Sequence, residues 1–592
     1  MKTYDERYES IASKIEVQRK VLRRKSILIV SGQMMLLFAA VVIPMLVLMM
    51  IPYKVELPDV SMYADSPYYS LIQRINEATT PKPKYNSYFD LVVDYFFGKK
   101  TSSTTIHCGF ASEPGLEFID NQTEGVIQED IIQYSDQYIY YLKDECLYIC
   151  PINGSEFELE DDYSLKEPWA KTDNMGMYLS QDGTTITVVC SCEMGRGKYC
   201  TRIINLDVSD PLNIRETGRI YVSGTFLSSR MVDDKLLLMS RFQIASNKDF
   251  SDESTFLPQI GQPGNMTSVA PGDIVVSEDF DDTYYTVVCM LDGNTLAVED
   301  SAAYLSYSKA VYVSENNLFL YDSYAKKDNG ESNEYVTDIS CLSYGEDGLA
   351  HKGSVTVDGY PRDWYSMDEH EGILRVVTTV SNGQNSTSQN ASLYCVSLTD
   401  FKVVASVEKF VAAGKSANRV RFDEDYVYVY TPTMRELTDP VYFFDLSNLN
   451  HITYKQTSIN GGETRNLVGF GDGYLLGMND TNNKYAKVEI YTQNKESITY
   501  LCDYKTNRVY DYYKSCMIDR ENQLIGFVGK DADTGEYAYI LLRFDGSSLQ
   551  EVVKVPTEFS DYYFIRAVLI DGYLYVFGAE FSWAGFEVVQ VG

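Results

Sequence analysis

The stretch INLDVSDPLNIRETGRIYVSGTFLSSRMVDDKLLLMSR, Ile204 to Arg241, decides the fold. It alternates hydrophobic runs with polar punctuation at Ser209-Asp210-Pro211 and Asp233-Asp234. The runs 201–206, 215–222, 228–232 and 236–241 are aliphatic or β-branched, as half-buried strands require, and the residues between them have turn chemistry. This predicts a four-stranded unit of strand, turn, strand, loop, strand, tight turn, strand.

Its most portable feature is an acidic or Gly/Asn turn before a hydrophobic strand. The turn recurs at Asp136-Gln137, Asp182-Gly183, Asp233-Asp234, Asn316-Asn317 and Glu371-Gly372. It continues at Asp423 to Asp425, Asp472-Gly473, Asn522 and Asp571-Gly572. The spacing stays near fifty residues, except for 82 between Leu236 and Leu318. A period of ~40–50 residues with about four strands per repeat is the signature of a propeller, because one such sheet cannot bury both faces and must stack on neighbours. The predicted fold is therefore all-β: a β-propeller of eight or nine four-stranded blades. The last repeat ends one strand short, so residues 105–110 or 116–119 are expected to complete it and close the ring. The long gap holds a polar, turn-rich insert at 245–283, expected to be a long loop without structure of its own, functional or disordered.

Ahead of the repeats the composition changes. Residues 1–26 hold eight Lys/Arg and four acids, and 27–51 hold no charge at all. A run of that length can cross a bilayer, and the basic flank puts the N-terminus in the cytoplasm. The expected organisation is a cytoplasmic tail at 1–26, a single transmembrane helix at 27–51, a stem with short helices at 52–104, and the propeller at 105–592. The stem helices are expected at 69–78 and 88–97. This predicts a single-pass protein of the cell membrane, held through 27–51, with the propeller extracytoplasmic.

The chain of 592 residues carries a net charge of −33, which excludes nucleic-acid binding, a function that needs the opposite sign. No H-E-x-x-H, G-x-S-x-G or phosphate-cradling glycine loop occurs. With four His and three Trp the sequence offers no catalytic, cofactor-binding or metal-binding residue set. Asp279-x-Asp281 and Asp531-x-Asp533-x-Gly535 resemble calcium loops only faintly, and hairpin turns account for them better. All 11 cysteines follow residue 51. Cys192 and Cys200 flank the Gly195-Arg196-Gly197 turn and are the candidate disulfide; buried free thiols and a three-cysteine metal site with Cys190 are the alternatives. Arg230, Arg375 and Arg421 stand near strand starts in different repeats. They form either a ring of cations reading an anion in the channel or structural pairs with turn aspartates such as Asp233, Asp368 and Asp423, the second being the usual fate of a buried guanidinium.

Ordered blocks then resemble a known family. They are Glu124-Gly125-Val126 through Tyr138-Ile139-Tyr140, and Asp207-Val208-Ser209-Asp210-Pro211 with Ser228-Ser229-Arg230-Met231. Ser366-Met367-Asp368-Glu369 with Leu374-Arg375-Val376, and Val420-Arg421-Phe422 with Asp439-Pro440, follow in order. Over about residues 68–592 the chain resembles the bacterial and archaeal secreted or membrane-anchored proteins with a C-terminal β-propeller, distantly like WD repeats. It departs from them at Ile127-Gln128, where the family usually has Asp-Glu. The resemblance implies a fold and a cell-surface location, not a reaction. The expected function is a non-catalytic binding or scaffold module for a cell-surface protein or glycan. The alternative is a glycan hydrolase or lyase with carboxylates at the channel mouth.

Overall fold

A computed structural model describes residues 57–79 and most of 123–591, with scattered positions between 13 and 47. The chain divides into two compact units, Met1–Thr105 and Ile106–Gly592. In the first, a helix at Tyr69–Thr79 buries Leu71, Ile72 and Ile75, and Asn76 Nδ2 donates to the Pro58 carbonyl at 2.9 Å. Among the described residues no helix is long and apolar enough to cross a membrane. The expected span at 27–51 lies largely outside the described residues. So do the second stem helix, both candidate closing strands and both aspartate pairs considered for calcium.

The second unit is built as consecutive antiparallel meanders, with parallel pairing only in two short places among the described residues. The first is Ile132–Tyr134, Tyr138–Lys143, Cys146–Pro151 and Asp161–Ser164. Among the described residues nine such meanders follow one another, the last being the three strands Arg566–Ile570, Tyr573–Glu580 and Trp583–Gln590. We number them 1 to 9.

Every acidic or Gly/Asn marker falls between the first and second strands of a meander. The backbone explains why. Glu371-Gly372 and Asp571-Gly572 have φ of 49° and 76°, and 50° and 78°. Two consecutive left-handed residues make the tight hairpin turn whose twist matches paired strands, and Gly, Asp and Asn tolerate it best. Asp233, Glu424 and Gln523 supply a single left-handed residue at their turns, whereas the turns at Asp136-Gln137 and Asn316-Asn317 have none, so the repeat marks a hairpin position rather than one fixed turn geometry.

The predicted phase needs correction. The stretch from Ile204 to Arg241 straddles two meanders: Tyr199–Asp207 and Arg215–Ser223 close meander 2, while Thr225–Val232 and Lys235–Gln243 open meander 3. Alternation marks strands but not which pair shares a sheet.

Consecutive meanders pack face to face. Leu237, Met239 and Val288 of meander 3 meet Val311, Leu318 and Leu342 of meander 4. Val377 and Leu393 of meander 5 meet Val427 and Phe444 of meander 6. The last meander packs on the first: Tyr575 and Phe577 cluster with Ile139 and Tyr141, and the Tyr141 hydroxyl donates to the Phe564 carbonyl at 2.7 Å. Each fully buried aliphatic side chain contributes ~1.5–3 kcal/mol, so the interfaces between sheets hold the structure together.

The insert corrects a second expectation. It has regular structure of its own. Gln259–Gln262 and Asn265–Ser268 form a hairpin that adds to the outer strand of meander 2, with Ile260 opposite Val222. Ile274–Val276 then runs parallel to the outer strand of meander 3, with Ile274 opposite Ala303. Both sheets grow to six strands, the sixth in meander 3 being Val126–Ile127 on its axial edge.

Candidate functional site

Two regions combine polar groups with built geometry: the axial edge of the meanders, and the rim carrying the insert.

At the axial edge the segment leading into meander 1 crosses the first strands of several others. Thr123 Oγ1 donates to the Val313 carbonyl of meander 4 at 3.3 Å. Val126 and Ile127 pair with Val232 and Met231 of meander 3. Asp130 bridges to Met177 of meander 2, and the chain enters meander 1 at Ile132. Glu129, only 6 % exposed, accepts from Ser229 Oγ at 3.0 Å and the Tyr178 hydroxyl at 3.3 Å. Lys514, from the approach to meander 8, bonds the Glu129 carbonyl at 2.8 Å, with its Nζ 3.8 Å from the carboxylate. Arg566 of meander 9 pairs with Asp130 at 2.9 Å. Burial beside the Glu129 charge pushes the Tyr178 phenol well above its ordinary range, so it stays a donor. Gly176 makes the passage possible: a Cβ there would lie 2.7 Å from Glu129 Cγ. This segment is a belt whose two acids are held by cations from the last two meanders.

The three arginines singled out in the sequence do not occupy equivalent rungs. Arg230 and Arg421 lie on first strands, while Arg375 lies on a second strand, opposite Asp368. Arg375 Nε donates to Asp368 at 2.9 Å, its guanidinium reaches the Glu424 carbonyl of meander 6, and it lies 5.2 Å from the centre of the Phe422 ring. Arg421 pairs with Asp423 at 2.5 Å and reaches Gln493 of meander 7. Arg230 donates to Ser228 Oγ at 2.7 Å and the Ser229 carbonyl at 2.6 Å, rather than to Asp233. Arg375 and Arg421 thus tie one meander to the next.

Cys192 and Cys200 are directly opposite across the second and third strands of meander 2, and both are free thiols. Among the described residues no group of three or more His, Cys, Asp or Glu side chains is placed to hold a metal.

At the rim, the insert hairpin and the outer strand of meander 3 flank a half-open cavity of about 390 Å3. Ile260, Gln262, Asn265 and Thr267 line it from the hairpin, with Val298 and Ser301 opposite. The size suits a small ligand or a partner's side chains. The lining offers amides, hydroxyls and apolar surface, and neither a carboxylate nor an imidazole, so it is equipped to hold a ligand by hydrogen bonds rather than by proton transfer. Sequence reasoning missed Glu129, Asp130, Lys514, Arg566 and the cavity. The first four are not repeated between meanders, and the hairpin has no alternating apolar pattern.

Stacked four-stranded meanders, with the last packed on the first, define a β-propeller. The chain belongs to the family described as Beta propeller domain, whose model matches residues 120–454. An uncharacterized protein of Archaeoglobus fulgidus is 27 % identical over 236 residues, 39 % of this chain and 34 % of that protein. The chain thus spans about a third of that relative's length. Among solved structures, the C-terminal WD40 domain of Sif2 is similar at 9 % identity with a TM-score of 0.35, over 79 % of this chain and 97 % of that one. Kluyveromyces lactis Hsv2p is similar at 11 % and 0.30, over 64 % and 98 %. Porphyromonas gingivalis dipeptidyl peptidase 4 is similar at 11 % and 0.34, over 76 % and 65 %.

Proposed function

We propose that this chain is a non-catalytic binding module: a nine-bladed propeller, anchored through 27–51, that presents its rim to a protein partner at the cell surface. The observation that carries the reading is the insert. It is built into the outer edges of two neighbouring sheets, with its own Phe256, Leu257 and Val269 buried, and its hairpin lines one side of the cavity. The axial carboxylates Glu129 and Asp130 support the same reading, because their cationic partners occupy them. The glycan-active alternative needs free carboxylates at the channel mouth, one acting as acid and one as base or nucleophile. The uncharged 25-residue run and the extreme acidity of the rest support an anchored, extracytoplasmic arrangement.

The test uses residues 52–592 as bait on intact cells of the source organism. A second bait has the 259–268 hairpin replaced by a two-residue turn. Capture of one protein by the first bait and not the second is the expected result. Equal capture by both would move the contact away from the rim, and turnover of a cell-wall glycan by either bait would sink the non-catalytic reading.

A further inference from the structure

Meander 2 holds a chemical site that the binding reading does not use. Its second strand, Thr185–Glu193, carries Cys190 and Cys192, and its third, Tyr199–Asp207, carries Cys200 and Arg202. The register sets Cys192 opposite Cys200 and Cys190 opposite Arg202, so all four share one face. Directly opposed residues of an antiparallel pair have Cα atoms about 4.5–5.5 Å apart, within the range a disulfide bridges.

The surroundings favour a thiolate. Arg202 is fully buried; its guanidinium lies 2.8 Å from Glu167, 2.8 Å from the Leu165 carbonyl and 3.8 Å from Cys190 Sγ. Thr172 Oγ1 is 3.8 Å from Cys192 Sγ, and Met194 Sδ is 3.2 Å from Cys200 Sγ. The Cys200 thiol bonds to Cys192 and, with Arg202 and Thr172, draws the Cys192 thiol below its ordinary range against the pull of burial and of Glu167. Burial pushes Cys150, Cys190 and Cys289 the other way, up to about 12. The pair is buried, but it lies one rung from the end of a hairpin whose Met194 and Tyr199 are exposed. Hairpin ends open locally at the smallest cost, which gives a small oxidant a route.

We propose that Cys192 and Cys200 are an oxidisable dithiol that takes up a disulfide from a small-molecule disulfide, with Cys192 as the attacking sulfur. The Cys192 thiolate attacks one sulfur of the oxidant, forming a mixed disulfide and expelling one thiolate. Cys200 loses its proton and attacks Cys192 Sγ, closing the protein disulfide and expelling the second thiolate. Two protein thiols are oxidised, and one disulfide is reduced to two thiols. The product fastens the hairpin that ends beside the Arg202–Glu167 pair.

The probe is oxidised glutathione added to the folded chain, with thiol counting, intact mass and tryptic mapping. The expected result is loss of two thiols from the 11 and a mass lower by about 2 Da. Trypsin cuts at Arg196 and Lys198, so the bridge appears as two linked peptides. Cys200→Ser should stop at a glutathione adduct on Cys192, while Cys192→Ser should leave Cys200 unmodified. No thiol loss from folded wild type, a bridge through Cys190, or an adduct on Cys200 in place of Cys192 would each overturn the proposal. The wild-type measurement stands alone if a variant does not fold.

Discussion

The axis and the rim of this molecule treat polar groups in opposite ways. At the axis, Glu129 and Asp130 sit among Tyr178, Ser229, Lys514 and Arg566, each acid facing a cation from a distant part of the sequence. At the rim, Gln262, Asn265 and Thr267 line a cavity that has polar groups and no ion pair. The axis uses polarity to fix a chain segment in place; the rim leaves it facing solvent. Function belongs where polar groups are held in place but not consumed, and variants at each place measure how far this contrast holds.

The largest expected effect is Arg566→Ala. The Arg566 side chain is 3 % exposed and that of Asp130 14 %. Removing the guanidinium leaves a partly buried carboxylate without its partner, which typically costs ~3–5 kcal/mol. Urea denaturation should show a drop of that order, and a double variant with Asp130→Asn should recover part of it. A loss below ~1 kcal/mol would mean that the belt is not held by its charges. Gly176→Ala comes next. Its Cβ would overlap Glu129 Cγ at 2.7 Å and Cβ at 2.8 Å, so either the belt or the strand must shift. Such overpacking costs ~1–3 kcal/mol, again read from the denaturation midpoint. If Gly176→Ala is neutral, the belt is free to move and the axis is more open than its contacts imply.

Alkaline stability separates the two regions without a change of volume. Tyr178 has its folded pKa raised, by burial first and by Glu129 second. A group raised in the folded state contributes stability that is complete below its unfolded value near ~10 and is lost as pH rises above it. Each such group costs about 1.4 kcal/mol per pH unit in that window. Tyr178→Phe should therefore flatten the loss of stability between about pH 10 and 11 by one group's share, while leaving the slope below that window unchanged. An identical slope in wild type and variant would show that Tyr178 ionises freely.

How much of this was legible beforehand depends on whether a feature repeats. The nine hairpin turns were readable because turn residues of one chemistry precede each second strand; most of them include a left-handed residue, and Glu371-Gly372 and Asp571-Gly572 have it at both central residues. Cys192 and Cys200 were readable as a facing pair because seven residues containing two glycines separate them. The phase of the sheets was not, since Arg215–Ser223 and Thr225–Val232 read alike although they belong to different meanders. The belt was hidden because Glu129 and Asp130 occur once, and their partners Lys514 and Arg566 lie about four hundred residues away. The arginines misled through spacing: Arg375 counts from a second strand, Arg230 and Arg421 from first strands.

The smallest expected effect carries the most weight for the rim. Asn265 and Gln262 are both exposed, at the tip of the insert hairpin and beside the cavity. Gln262 Nε2 bonds the Arg219 carbonyl, so Asn265 is the cleaner probe. Substitution at an exposed site without a structural bond shifts stability by no more than ~0.5 kcal/mol. Asn265→Ala should thus denature with wild type while weakening capture of a rim-bound partner. If it instead unfolded with the Arg566→Ala variant, the insert would be a clamp holding meanders 2 and 3 together. The rim would then be doing what the axis does, and the binding surface would have to be sought elsewhere.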